Sequence, residues 1–529
     1  MKNKIRDFIL KTIAVIFSIL FAIVLFNTIF FNKTIGINYK IPVIIIFTII
    51  VYGIILFLYY IYTKKEMKFL DYSPKKIYYF IFIAIIFIVQ FIIAKLVYGE
   101  YGWDCGEIIK DSYLFTNNGY FNFPYYAQYP NNIGIFLIIN KVLKISKNFI
   151  DIKIIENCFL SSIVFNIIMV DLASLFTFLT IKKVSGNKSA YLSLMFILPL
   201  MIFSPYINIP YTDTISMMFP ILILYLYICI KELPKEKFQK YLLALLMGIV
   251  TVVGTLLKPT VIIMPIAIFI ISILNINKVG LKNIAYTLIL CVFFIVGVGF
   301  SYLGYSVQKE KFFNELISEE MSYDLEISYM HFLMMGMQEK PNDTKEDGKN
   351  QTLYGAYNGT DVENTNSIKG YKEKQNYNLK IVKERLKGFG IVGYIKFLYN
   401  KANWILSDGT FYYGYEGTWL VNGYSNKSEP AKRIQKFITV TTKEYKNITA
   451  NIMQIAWIII FIGLVFSISK EKNEYIDIGK LAIIGMVLFL LLFEGRARYL
   501  INHIPIFILV GTYGLKNSLN KILLTLEHK

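Results

Sequence analysis

The sequence predicts an all-α polytopic membrane protein of about twelve transmembrane helices. Juxtamembrane helices on the outer face and one extracytoplasmic domain, mixed or helical, complete this fold class. Three observations carry the expectation. The 529-residue chain is 55% hydrophobic and 17% charged, against roughly one-quarter charged residues in soluble domains. Its apolar residues gather into runs of about twenty, the length that crosses a bilayer as a helix. The net charge of +19 resides in lysines between those runs, which marks membrane topology and not a nucleic-acid partner. A soluble enzyme, a disordered chain and a coiled coil are excluded. Cys105, Cys158, Cys229 and Cys291 do not make a disulfide framework, since the last three sit inside apolar runs.

The basic N-terminus leads into an apolar run from about Phe8 to Phe31, too long for a signal-peptide core. It reads as a first span that starts in the cytoplasm. Spans follow at about 41–62 and 77–98, separated by Lys64, Lys65, Lys68, Lys75 and Lys76. The segment Asn131 to Ile145 is short and interrupted by Lys141 and Lys144, and it fits an amphipathic helix in the outer interface. Further spans are then expected at about 154–181, 189–207, 213–230, 241–257, 259–276, 283–305, 452–470, 476–493 and 499–515. The inside loops hold Lys182, Lys183, Lys188, Lys231, Lys235, Lys237, Lys240, Lys278, Lys282, Lys470, Lys472 and Lys480; the outside turns hold Lys258, Arg496 and Arg498. By the positive-inside rule both termini are cytoplasmic. The chain divides into two N-terminal helices (1–76), a core (77–305) with an outer loop at 99–153, an extracytoplasmic domain (306–449) and C-terminal helices (450–529). Helical patterns mark 311–328 and 376–403, and turn-rich segments mark Pro341–Asp347 and Asn358–Asn366.

Ionisable residues inside a membrane mark function, yet the spans are almost free of charge. Lys95 lies near enough to a helix end to snorkel. Asp171 is mid-span, either a proton site or, in the favoured reading, a hydrogen-bonded packing residue. The outer face instead collects Asp104, Glu107 and Asp111, Asp213 in Pro210-Tyr-Thr-Asp-Thr214, Lys258 in Leu257-Lys-Pro-Thr260, and Glu494-Gly-Arg-Ala-Arg-Tyr499. A carboxylate there can take a proton from a hydroxyl, and arginines with a lysine can hold a phosphate. Walker, Rossmann, HExxH and CxxC motifs are absent from the sequence.

The order of these motifs carries a resemblance. Tyr101-Gly-Trp-Asp-Cys-Gly106 is followed by Gln128-Tyr-Pro-Asn-Asn-Ile-Gly134 with Tyr129 and Asn131, then by the Tyr211-containing turn, the Leu-Leu-Lys-Pro-Thr segment and the Glu-x-Arg-x-Arg-Tyr-Leu run. Over about residues 77–305 and 452–515 this resembles the GT-C superfamily of polyprenyl-phosphate-sugar-dependent membrane glycosyltransferases, including the protein O-mannosyltransferase and aminoarabinose-transferase branches. The resemblance implies that Asp104 matches the first-loop catalytic acidic residue. It also implies a lipid-phosphate sugar donor, with Arg496 and Arg498 near its phosphate. The chain departs from the family in having two helices before the one that leads into that loop, and in having Cys105 where a second acidic residue is usual. Within 306–449, His331, Gly336 and Tyr354-Gly-Ala-Tyr-Asn358 resemble external domains of Gram-positive members.

The implied function is transfer of a sugar to an extracytoplasmic glycan, teichoic acid or protein, inverting, with Asp104 as general base. Tyr129, Asn131, Tyr211, Asp213, Lys258, Glu494, Arg496, Arg498, Tyr499 and His331 are the candidate substrate contacts. Plainer readings stand beside these. Glu107 and Asp111 fit the wet face of a helix, Asp213 an N-cap, Lys258 a snorkelling residue, and Arg496 and Arg498 interface anchors with Glu494 as partner. His331 fits a packed histidine as well as a metal ligand or substrate contact. The Tyr-rich stretches 120–129 and 411–415 fit sugar stacking or an aromatic belt. No cofactor is called for, and a divalent metal is neither required nor excluded. The Ile-, Lys- and Asn-heavy composition points to a low-GC Gram-positive bacterium and to undecaprenyl phosphate. Rival functions are a flippase or transporter, which needs midplane charges, and a non-catalytic protein whose external domain binds cell-wall material.

Overall fold

The computed structural model describes residues 2–32, 34, 36–64, 75–275, 281–314, 319–341, 352–468 and 472–527. The expected inside lysines Lys65, Lys68, Lys278 and Lys470, and most of the turn Pro341–Asp347, lie outside these residues. Among the described residues, nine helices are long and apolar enough to cross a membrane: α1 (Lys4–Phe30), α2 (Ile41–Thr63), α3 (Ile77–Val97), α4 (Ile155–Ser185), α5 (Thr212–Glu232), α6 (Gln239–Leu257), α7 (Tyr286–Lys309), α8 (Tyr445–Val465) and α9 (Glu474–Leu492). Among the same residues, strands are confined to two short pairs. The protein is an all-α polytopic membrane protein.

The three other expected spans differ from simple crossing helices. Asn187–Ile202 is short because Pro199 ends its regular hydrogen bonding and the last five residues form a π-turn. Pro259–Asn275 begins as a 3-10 turn for the same reason. The span expected from 499 starts instead with the 3-10 turn Ala497–His503, and α10 (Ile504–Glu527) follows it. The segment Asn131–Ile145 is the helix Ile133–Ser146, 14 residues long and too short to cross a bilayer. It packs on the helix Trp103–Asn118 and on α4.

Burial sorts the helices. α5 and α8 are largely enclosed, whereas α2 and α7 turn most of their surface outward, as lipid-facing helices do. The polar stretch 306–449 joins the same core. Its helix Tyr371–Leu406, kinked at Gly390, delivers Trp404, and Phe411, Tyr412 and Tyr413 continue the cluster that holds Trp457 and Phe507 of α8 and α10. The Tyr-rich stretch 411–415 is therefore neither a stacking platform nor a belt at its centre: Phe411, Tyr412 and Tyr413 are fully buried.

One strand pair positions the site. β1 (Gly99–Tyr101), directly after α3, runs antiparallel to β2 (Val421–Tyr424), with Gly99 opposite Tyr424 and Tyr101 opposite Val421. Asn426 Nδ2 and Gln435 Nε2 donate to the carbonyls of Lys95 and Leu96 at 2.9 Å each. These bonds satisfy the last carbonyls of α3, which have no intrahelical partner. They also dock residues 421–435 against the start of the loop that carries Asp104.

Candidate active site

Asp104 lies in the first turn of the helix Trp103–Asn118, where the N-terminal partial charge favours a carboxylate. It is half-buried. Tyr125 Oη donates to its Oδ1 at 2.7 Å and Tyr211 Oη to its Oδ2 at 3.0 Å. Burial first, and then the Asp104 charge, hold both phenols well above their ordinary pKa, so both remain donors. Asn132 Nδ2 donates to Tyr125 Oη at 2.7 Å. Asn131, the residue singled out from the sequence, is exposed and reaches only Asn132. Tyr129 packs on Tyr125 with ring centroids 5.4 Å apart, and burial, Tyr357 and Asp104 push its phenol up to about 12.

Behind Asp104 stands a buried cluster of six charged groups. Lys258 pairs with Asp213 Oδ1, and Arg498 Nε lies 3.1 Å from Asp213 Oδ2. Glu416 faces both arginines: its Oε1 accepts from Arg496 Nη1 at 2.6 Å, and its Oε2 is 3.5 Å from Arg498 Nη1. Glu494 accepts from Tyr499 Oη at 3.2 Å and sits 3.6 Å from Arg496 Nε. Burial raises the Glu494 pKa against the opposing pull of Arg496. Lys258 Nζ lies 4.6 Å from the Tyr499 ring centroid, and the Trp103 ring faces Arg496 at 5.5 Å and Arg498 at 5.9 Å. The cluster is neutral in sum. Its hydrogen bonding is nonetheless incomplete, because Arg496 Nε and Arg498 Nε meet no acceptor with hydrogen-bond geometry.

Several plain readings are corrected by these positions. Asp213 is not an N-cap: Tyr211 holds that place and no side chain caps the helix. Lys258 does not snorkel, being paired and 8% exposed. The arginines are not paired with Glu494 alone; an extended Arg496 backbone lets both reach Glu416. Asp111 is not on a wet face, since it is buried and accepts from the Asn122 backbone N–H at 3.0 Å.

His331 is packed between three helices, its Nδ1 2.8 Å from Thr365 Oγ1, and burial lowers its pKa to about 4. Its helix serves the site from behind. The Glu494 N–H donates to the Phe332 carbonyl at 2.7 Å and the Gly495 N–H to the Gly355 carbonyl at 2.9 Å. Gly336 packs so close that a Cβ would stand 2.5 Å from the Leu492 carbonyl oxygen. Residues 331–336 and 354–358 thus fix the arginine turn.

Glu416 was missed by sequence reasoning, and so were Asn132 and Trp419, whose ring stacks on Trp103 at 6.2 Å. Glu416 belongs to the helix Tyr413–Leu420, entered through Phe411 and Tyr412 in left-handed conformation. Among the described residues the remaining non-glycine residue with positive φ is Trp103. Such strain persists where packing enforces it, commonly at functional sites. All three positions flank Asp104 or Glu416.

The fold and this buried polar site at one end of the bundle define a polytopic membrane protein with a built, charge-lined centre. The chain belongs to the family described as conserved hypothetical integral membrane protein, whose model matches residues 5–519. No curated protein matches it in sequence. Among solved structures it is similar to ArnT from Cupriavidus metallidurans bound to undecaprenyl phosphate, at 12% identity and a TM-score of 0.34, over 84% of this chain and 79% of that one.

Proposed function

We propose that this protein is a membrane glycosyltransferase that moves a sugar from a polyprenyl-phosphate donor to a hydroxyl acceptor outside the cytoplasm. The observation that carries the reading is one juxtaposition. A half-buried carboxylate, Asp104, oriented at both oxygens by phenols, stands beside two guanidinium groups whose Nε–H donors face Asp213 and Glu494 without hydrogen-bond geometry.

Each part has a chemical role. Asp104 retains unused lone pairs and accepts the proton of the acceptor hydroxyl. The acceptor oxygen bonds to the anomeric carbon from the face opposite the phosphate, and the carbon–oxygen bond to phosphate breaks. The bonding pair stays with the phosphate and configuration inverts. The lipid phosphate leaves with one more negative charge than it had as a diester. Arg496 and Arg498, with Lys258 behind them, meet that charge as it grows. Tyr129, Tyr357 and Trp103 offer ring surface for the sugar. On this reading both termini are cytoplasmic and the site is extracytoplasmic. The acceptor is a glycan, teichoic acid or protein.

Two measurements test it. A deletion strain accumulates a polyprenyl-phosphate sugar and lacks one residue in an envelope polymer. The purified Asp104→Asn protein folds and binds donor but loses roughly 10²–10⁴ in turnover, the size of a general-base contribution. Wild-type transfer by that variant removes Asp104 from the mechanism.

A further inference from the structure

Away from that site, the carboxyl of Asp171 lies inside a membrane-spanning helix. Asp171 lies midway along α4, 5% exposed, and neither of its oxygens meets a donor with hydrogen-bond geometry. Gln90 of α3 stands beside it, its amide bearing on the carboxyl at less than full hydrogen-bond geometry. Gln90 Nε2 donates to the Ile202 carbonyl at 3.0 Å, while its Oε1 is left without a donor. Ser174 Oγ, one turn along α4, is also without a partner. Asp171 and Ser174 line a cavity of about 170 Å³ between α3, α4 and the helix Asn187–Ile202. Its other walls are apolar and aromatic, with Tyr78, Tyr79, Phe82, Phe178 and Tyr191 among them. On α4 itself, Lys182 follows Asp171 by about 16 Å of helix rise and is held on the Tyr79 hydroxyl at 2.9 Å.

Orphan polar groups in an apolar cavity are costly, and the unpaired atoms here, the Asp171 oxygens, Gln90 Oε1 and Ser174 Oγ, can all accept. What completes such a set is a group with several donors and positive charge. Aromatic walls favour the same thing, because ring faces attract cations. The size sets the remainder of the ligand, since a dry cavity of about 150 Å³ takes benzene. We propose that this cavity binds a small protonated primary amine with an apolar body of benzene size. Its ammonium sits on Asp171, and Ser174 Oγ accepts another of its N–H bonds. The inference is independent of the proposed transfer reaction.

The test uses the full chain in lipid nanodiscs with radiolabelled phenethylamine as probe. Saturable binding is expected, competed by benzylamine and not by equimolar benzyl alcohol. Asp171→Asn keeps the shape and loses the charge, and should weaken binding by about tenfold or more, the worth of one charge-assisted hydrogen bond. Leu175→Trp fills the cavity from its apolar wall, leaves Asp171 in place, and should abolish binding even if the Asn variant does not fold. Absence of saturable binding in the wild type overturns the proposal. Equal competition by the alcohol, or undiminished binding in either folded variant, does the same.

Discussion

Glu416 holds two guanidinium groups at once, and it does so at under a tenth of its surface exposed. Removing one partner of a buried ion pair leaves an uncompensated charge, which costs about 3–5 kcal/mol. Glu416→Gln should therefore lower the melting temperature sharply. Where the protein is kept folded, the freed arginines should bind the lipid phosphate more tightly while losing their aim, so that KM for donor and kcat fall together. Arg496→Lys and Arg498→Lys keep the charge but lose the planar fork; each should raise the donor KM about tenfold, the worth of one charge-assisted hydrogen bond. Kinetics of transfer against donor mole fraction in detergent separate these outcomes. Unchanged values in both lysine variants would make the arginines structural partners of Glu416 and move the phosphate contact to Lys258.

The helix Trp103–Asn118 aims Asp104, and the strand pair β1–β2 aims that helix. Gly102 is the joint between them. Its N–H donates to the Leu420 carbonyl at 3.2 Å, and a Cβ there would stand 2.3 Å from the Trp419 carbonyl oxygen. Gly102→Ala should push the two segments apart and cost about 10²-fold in turnover, the penalty of misplacing a reacting group by about 1 Å. Gly423→Ala, whose Cβ meets nothing within 4 Å, should transfer sugar like the wild type. Equal activity in both variants would mean that the strand pair does not position Asp104.

At this scale the sequence was legible where the bilayer constrains it. Apolar runs must be continuous to span, and charges are conspicuous in short turns, so α1–α9, Asp104, Asp213, Lys258 and the arginine turn all stood out. Glu416 did not, because a glutamate is ordinary in a long polar stretch. Its burial comes from the left-handed turn at Phe411 and Tyr412 and from docking on α8, neither of which leaves a local pattern. Asp111 was misjudged because sequence spacing from Asp104 does not say which face the helix turns to the core, and Cys105, Ile108, Ile109 and Ser112 show that it is this one.

The whole molecule has two ends of different character. The C-terminal ends of α3 and α9 and the N-terminal ends of α4 and α5 meet at one end, around Asp104, Asp213 and Glu494. Residues 421–435 are tied there through the Lys95 and Leu96 carbonyls, which places exposed Lys427 at that end with exposed Lys147. The turn with exposed Lys235 joins the C-terminus of α5 to the N-terminus of α6 and lies at the other. The short loops at that other end carry the lysine excess, and on the proposed reading that end faces the cytoplasm. With the four native cysteines replaced, single cysteines at positions 147 and 427 should react with a membrane-impermeant maleimide in intact cells, and one at 235 only after lysis. The reverse pattern would place Asp104 and the arginines against the cytoplasm, where a sugar donor need not be carried on a lipid, and the polyprenyl-phosphate reading would fall with the topology.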